Sequence, residues 1–274
     1  MTEFEHIVVG KSSVPALAVT VVLMLAIPVC CVLFWRGKHR RETKLGWLLA
    51  GAAGFLVSAR VLELGVHYFC IVSDNPVSRF LNTSTAAFVI YGAAMAGVFE
   101  ECGRHIVLKY LLKKDRTREN AVLYGIGHGG IEILTIVLPL MVLYLAVAVL
   151  FSAGDTENAL RTLNITEETA AAALPSVQAA AAFDWGMMAL NVMERVFAMC
   201  DHVGLTVVVY CGVVNAKRGC LPAAILLHML ADTFPALYQR GVLPLWAVEL
   251  WGAFWAALIV LLAARLYGKM RADG

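Results

Sequence analysis

The sequence predicts an all-α, polytopic integral membrane helix bundle of about seven transmembrane helices, N-terminus outside and C-terminus cytoplasmic. Three observations predict it. Apolar residues make up 60% of the 274 and charged residues 15%, against about 45–50% and about 25% in soluble domains. The apolar excess is gathered into long runs, with a mean hydropathy of +0.75, and a bilayer core about 30 Å thick takes roughly 20 such residues per helix. Basic residues alternate between successive connections, which orients the spans.

Seven runs meet the length criterion: 14–35, 45–71, 84–112, 121–151, 184–214, 221–239 and 245–267. The first follows "MTEFEHIVVGKSS", which lacks the basic start and small-residue cleavage site of a signal peptide, so it reads as a retained helix. "RGKHRRETK", "KKDRTREN" and "NAKRG" are basic, and the tail "GKMRADG" mildly so; "SDNPVSR", the 152–183 loop and "QRGVLP" carry one arginine each. The basic set is therefore read as cytoplasmic. The 152–183 loop, with "AAAALPSVQAAAAF", reads as a short helix or cover on the outer face. No internal repeat or soluble domain stands out, so residues 1–274 form one multi-pass membrane domain, in a bacterial plasma membrane. A net charge of +2 argues against a nucleic-acid partner, and seven cysteines without a CxxC pair read as small buried apolar residues.

Ionisable side chains in a membrane cost about 2.5–3.5 kcal/mol each on insertion scales, and they face the bundle interior. "FEECGRH" in the third run carries Glu100, Glu101, Arg104 and His105; "YGIGHGGIE" in the fourth carries His128 and Glu132. The fifth carries Glu194, Arg195, Asp201 and His202, the sixth His228 and Asp232, the second Arg60, Glu63 and His67, and the last Glu249. At a rise of about 1.5 Å per residue, Glu100, Glu101, Glu132, His202 and Asp232 lie roughly 17–18 Å from the cytoplasmic end of their spans, and Arg104, His128 and His228 roughly 11–12 Å. Four helices thus bring carboxylates and imidazoles to one slab, while Glu194 falls nearer the outer side. Glu100–Arg104, His128–Glu132 and His228–Asp232 are i,i+4 pairs, each on one helix face. A lone polar residue can serve as a hydrogen-bonded staple between helices, which suits Arg60, Glu63 and His67 or the Glu194–Arg195 pair as well as any functional role does. The slab carries too many polar groups for that. "GIGHGG" fits G-x-G-x-x-G only formally, since no strand precedes it; its glycines let helices approach closely around His128.

Adjacent carboxylates with several imidazoles, shielded from water, can hold and activate a water molecule, and an imidazole or metal can stabilise an oxyanion. Three histidines on three helices, His128, His202 and His228, could ligate zinc, although their spacing is no established zinc signature. Peptide hydrolysis inside a membrane calls for such a site. The alternatives are missing from the sequence: no HExxH, no GxGD and no GxSG-like serine.

"FEECGR", "YGIGHGGIE", the Glu194–Arg195…His202 segment and "HMLAD" at 228–232, in this order on successive spans, resemble the YhfC family of bacterial intramembrane metalloproteases, a group similar to PrsW and the CPBP (Abi) CAAX proteases. The resemblance covers nearly the whole chain. It implies a hydrolase acting on membrane-anchored or amphipathic peptides in the lipid bilayer. Glu100 would be the water-activating base, Glu101 and Arg104 its partners, and His128, His202, His228 and Asp232 the remaining motif positions, with Glu132 beside them. Two departures stand out: two residues rather than three separate Glu101 from Arg104, and Asp232 takes a position more often held by Asn. The first leaves open which glutamate Arg104 supports. A glutamic-type, metal-free protease stays open beside the metalloprotease. So do an ion- or proton-coupled transporter, built from the same residue types, and a non-catalytic protease-fold scaffold.

Overall fold

The computed structural model describes residues 2–270. Among the described residues, seven helices are long and apolar enough to cross a membrane: span 1 Ser13–Lys38, span 2 Leu45–Val72, span 3 Thr85–Leu111, span 4 Arg118–Ser152, span 5 Trp185–Val214, span 6 Cys220–Gln239 and span 7 Leu245–Lys269. No strand occurs among the described residues. Contacts divide the chain into two compact units, residues 1–27 with 133–193, and residues 28–132 with 194–274.

In the first unit, the 152–183 connection is mostly helical. Asp155 caps Thr156–Thr162 by accepting from the Asn158 amide at 2.9 Å, and a capping box at Thr166 starts Glu167–Ala181. Val177 and Ala180 pack with Phe4, Val147, Phe151 and Leu160, and Ser13 donates to the Ala181 carbonyl at 2.7 Å. The first of these helices starts where Asp155 satisfies a free first-turn amide, and the second where Thr169 Oγ1 accepts from the Thr166 amide at 2.9 Å.

The second unit contains spans 2, 3, 6 and 7 and the site-bearing parts of spans 4 and 5. Lipid is as apolar as leucine, so burying leucine between membrane helices gains little; close backbone packing has to supply the cohesion. Large apolar side chains such as Ile90, Leu250 and Leu261 are accordingly exposed, while glycines occupy the crossings. A Cβ on Gly127 would overlap the Leu48 carbonyl, one on Gly51 the Tyr124 carbonyl, and one on Gly125 would come 2.7 Å from the Val203 Cα. "GIGHGG" is thus a packing surface for spans 2 and 5 on either side of His128. Around it Trp47, Leu108, Tyr124, Leu205 and Ile259 form a buried cluster. Gly127→Ala is expected to cost about 1–3 kcal/mol through overpacking, read as a lower melting temperature in detergent; an unchanged value would contradict this packing.

Two features differ from the expectation. "SDNPVSR" starts the helix Pro76–Thr83, because Asn75 accepts from the Val77 and Ser78 amides, each at 2.9 Å, with proline at the first position. Of the seven cysteines, all free, Cys211 is buried, Cys30 is exposed and the others are partly exposed.

Candidate active site

Adjacent residues on an α-helix point about 100° apart, so Glu100 and Glu101 face different neighbours. Glu101 and Arg104, three positions apart, share a face. Arg104 Nη1 donates to both carboxylate oxygens of Glu101, at 2.6 and 2.8 Å, and both residues are 0% exposed. Arg104 therefore supports Glu101, and the i,i+3 spacing is the reason. The same carboxylate accepts from His228 Nδ1 at 2.8 Å, and His228 Nε2 lies 3.4 Å from Asp232 Oδ2.

Glu100 turns toward spans 4 and 5. Its Oε2 is 2.9 Å from His128 Nε2 and 3.9 Å from His202 Nδ1. His202 is held from behind by a hydrogen bond between its Nε2 and Glu132, and Glu132 accepts from Arg195 Nη1 at 2.9 Å. Arg195 also pairs with Glu194. Ring centroids run 4.9 Å from His128 to His202 and 5.8 Å from His202 to His228, so the three imidazoles form a row. All eight residues singled out by the motifs are joined by these contacts. His105 is not among them; it lines a separate surface recess with Lys109 and Lys217.

A cavity of about 160 Å³ opens against this row, large enough for several waters, and is walled by Glu100, Glu132, His202, His228 and Asp232. Glu101, Arg104 and His128 stand behind that wall. Glu194, Asp201 and Glu249 also line the cavity. The sequence places Glu194 nearer the outer side and puts Asp201 and Glu249 outside the slab, so their presence here differs from the expectation. Arg195 lies seven residues before His202, two turns along one face, and that spacing is the signal that could have drawn it into the site.

Among the described residues, Glu100, His128 and His202 form a buried group whose donor atoms all lie within 4.8 Å of one another. Two imidazoles and a carboxylate are a donor set of catalytic zinc sites. The bond from Glu132 to the second nitrogen of His202 is the kind that orients a ligating histidine. The set is compatible with a metal ion. His228, whose Nδ1 is engaged by Glu101, stands outside this group.

A multi-pass membrane protein whose spans enclose a buried Glu–His–His cluster is the class defined by the fold and site. The model of the family described as YhfC intramembrane metalloprotease matches residues 23–251, and the chain belongs to that family. It is also 29% identical over 256 residues to "Uncharacterized membrane protein YhfC" of Bacillus subtilis (strain 168), across 92% of this chain and 95% of that protein. No solved structure matches. Membership supports a membrane protease that acts within the bilayer.

Proposed function

We propose that the protein is an intramembrane endopeptidase that hydrolyses membrane-anchored or amphipathic peptides at the Glu100 cavity. The basic connections, read as cytoplasmic, give substrates access from that side. One contrast carries the assignment: Glu100 lines the cavity and faces His128 and His202, whereas Glu101 is locked behind it by Arg104 and His228.

Glu100, His128 and His202 are the residues that would hold a metal, zinc by donor type. When bound, such an ion supplies a Lewis acid that polarises a carbonyl and favours ionisation of water. The proton transfers belong to the chain itself. Glu100 Oε2 is engaged by His128 Nε2 at 2.9 Å, and its other oxygen takes the proton of the attacking water. The water oxygen bonds to the scissile carbonyl carbon, and the carbonyl electron pair moves onto oxygen. His228, anchored through Nδ1 by Glu101, directs Nε2 and its proton at that oxyanion, with Asp232 beside it. As the C–N bond breaks, Glu100 passes its proton to the leaving nitrogen. Glu101 is a positioning residue that fixes the His228 ring, and Glu132 does the same for His202.

Protein reconstituted in liposomes with labelled single-span peptides tests this reading, with products identified by mass spectrometry. Discrete cleavage, absent in His128→Ala protein, is expected. Proton-coupled uptake without cleavage would replace the protease with a carrier, and peptide binding without turnover would replace it with a scaffold.

A further inference from the structure

The polar face of span 2, which the motif chemistry leaves unused, builds a second chamber. Glu63 is buried, and its Oε1 lies 3.1 Å from His67 Nε2; His67 Nδ1 in turn is 2.8 Å from the Tyr91 hydroxyl on span 3. This triad lines a cavity of about 420 Å³ whose remaining walls include Phe88 and Ala96. Asp232 and Pro235 belong to both this cavity and the Glu100 cavity. Span 2 is wound in wide π-type turns over Leu56–Glu63 and again over Tyr68–Val72, a departure that recurs at functional sites.

A hydrogen-bonded staple between spans 2 and 3 would account for the triad alone. It would not account for a chamber more than twice the volume of the reaction cavity and sharing a wall with it. Two carboxylates, Glu63 and Asp232, border the chamber, and among the described residues no lysine or arginine lines it. The cation at its margin, Arg240, rests over the Phe88 ring at 4.9 Å and donates to the Asn82 carbonyl at 2.7 Å. A carboxylate in an apolar recess attracts a cation on a flexible apolar stem, and lysine and arginine side chains are built that way.

We infer that this chamber is a specificity subsite which receives a basic side chain of the peptide substrate, flanking the bond presented to Glu100. The inference rests on the endopeptidase reading for the identity of the ligand. The stem of that side chain lies against Phe88 and Ala96, and its charge pairs with Glu63. His67 and Tyr91 hold the Glu63 carboxylate in place.

Binding rather than turnover tests it. Matched peptides with Lys, Met or Glu at each position along a single-span sequence are titrated into nanodisc-held Glu100→Gln protein. At one position the Lys peptide is expected to bind about ten-fold tighter than its Met counterpart. Adding Glu63→Gln, which keeps a hydrogen-bonding partner for His67, is expected to erase that ratio and leave the Met peptide unchanged. Ala96→Leu, which fills the chamber without touching Glu63, is expected to weaken the Lys and Met peptides alike. Equal affinity for all three peptides at every position, a Lys preference that survives Glu63→Gln, or unchanged affinities in Ala96→Leu protein overturns the subsite. Wild-type protein that binds the Lys peptide selectively yet never cleaves it would instead overturn the endopeptidase reading.

Discussion

Glu100→Gln is expected to lower peptide cleavage by about 10²–10⁴-fold, the range lost when a positioned general base is removed. The amide matches the carboxylate in size and can still meet His128, so melting temperature and elution volume should stay close to wild type. Glu101→Gln is the informative comparison. Its carboxylate lies behind the cavity wall, bonded to Arg104 and His228, so its loss acts through the His228 ring. A smaller fall in rate, together with a measurable drop in stability, is expected. Equal loss from both variants, with both fully stable, would mean that the two glutamates share the chemistry.

The second large effect is on stability. Arg104 and Glu101 form a fully buried ion pair, and removing one partner of such a pair typically costs about 3–5 kcal/mol because the other is left uncompensated. Arg104→Ala should therefore unfold at markedly lower SDS fraction than wild type. The double variant Glu101→Leu/Arg104→Met should recover part of the loss, since it removes both charges of the pair together, while remaining impaired in cleavage because His228 has lost its anchor. Arg104→Ala protein as stable as wild type would contradict the buried pairing.

The seven spans were legible because lipid imposes a coarse rule, long apolar runs with charged ends, that needs no knowledge of packing. The slab was legible for a related reason: charge in a membrane is costly enough that each polar residue stands out against its run. "GIGHGG" could be recognised as a packing element from the missing strand. The division of labour between Glu100 and Glu101 could not be read. Adjacent positions differ by a rotation of about 100°, and only the positions of spans 4, 5 and 6 determine which rotation meets His128 and which meets His228. Depth along the axis also said nothing about azimuth. His128, His202 and His228 looked equivalent as ligands, yet Glu100 joins the first two in one tight group and Glu101 engages the third. Tyr91 is not legible in the sequence, because a tyrosine in an apolar span carries no charge to set it apart from its run. The helix Pro76–Thr83 has a signal in the sequence, the "NP" that sets its cap and first position.

Metal content tests the assignment of the centre most directly. Purified wild-type protein and the single variants His128→Ala, His202→Ala and His228→Ala would be measured by inductively coupled plasma mass spectrometry after zinc loading and exhaustive dialysis. About one zinc per chain is expected in wild type and in His228→Ala, and loss of it in His128→Ala and His202→Ala. Retention in His202→Ala with loss in His228→Ala would contradict the Glu100–His128–His202 site. Wild-type protein that cleaves peptides while metal-free would contradict a metal there at all, and would leave the glutamate and histidines to activate water alone.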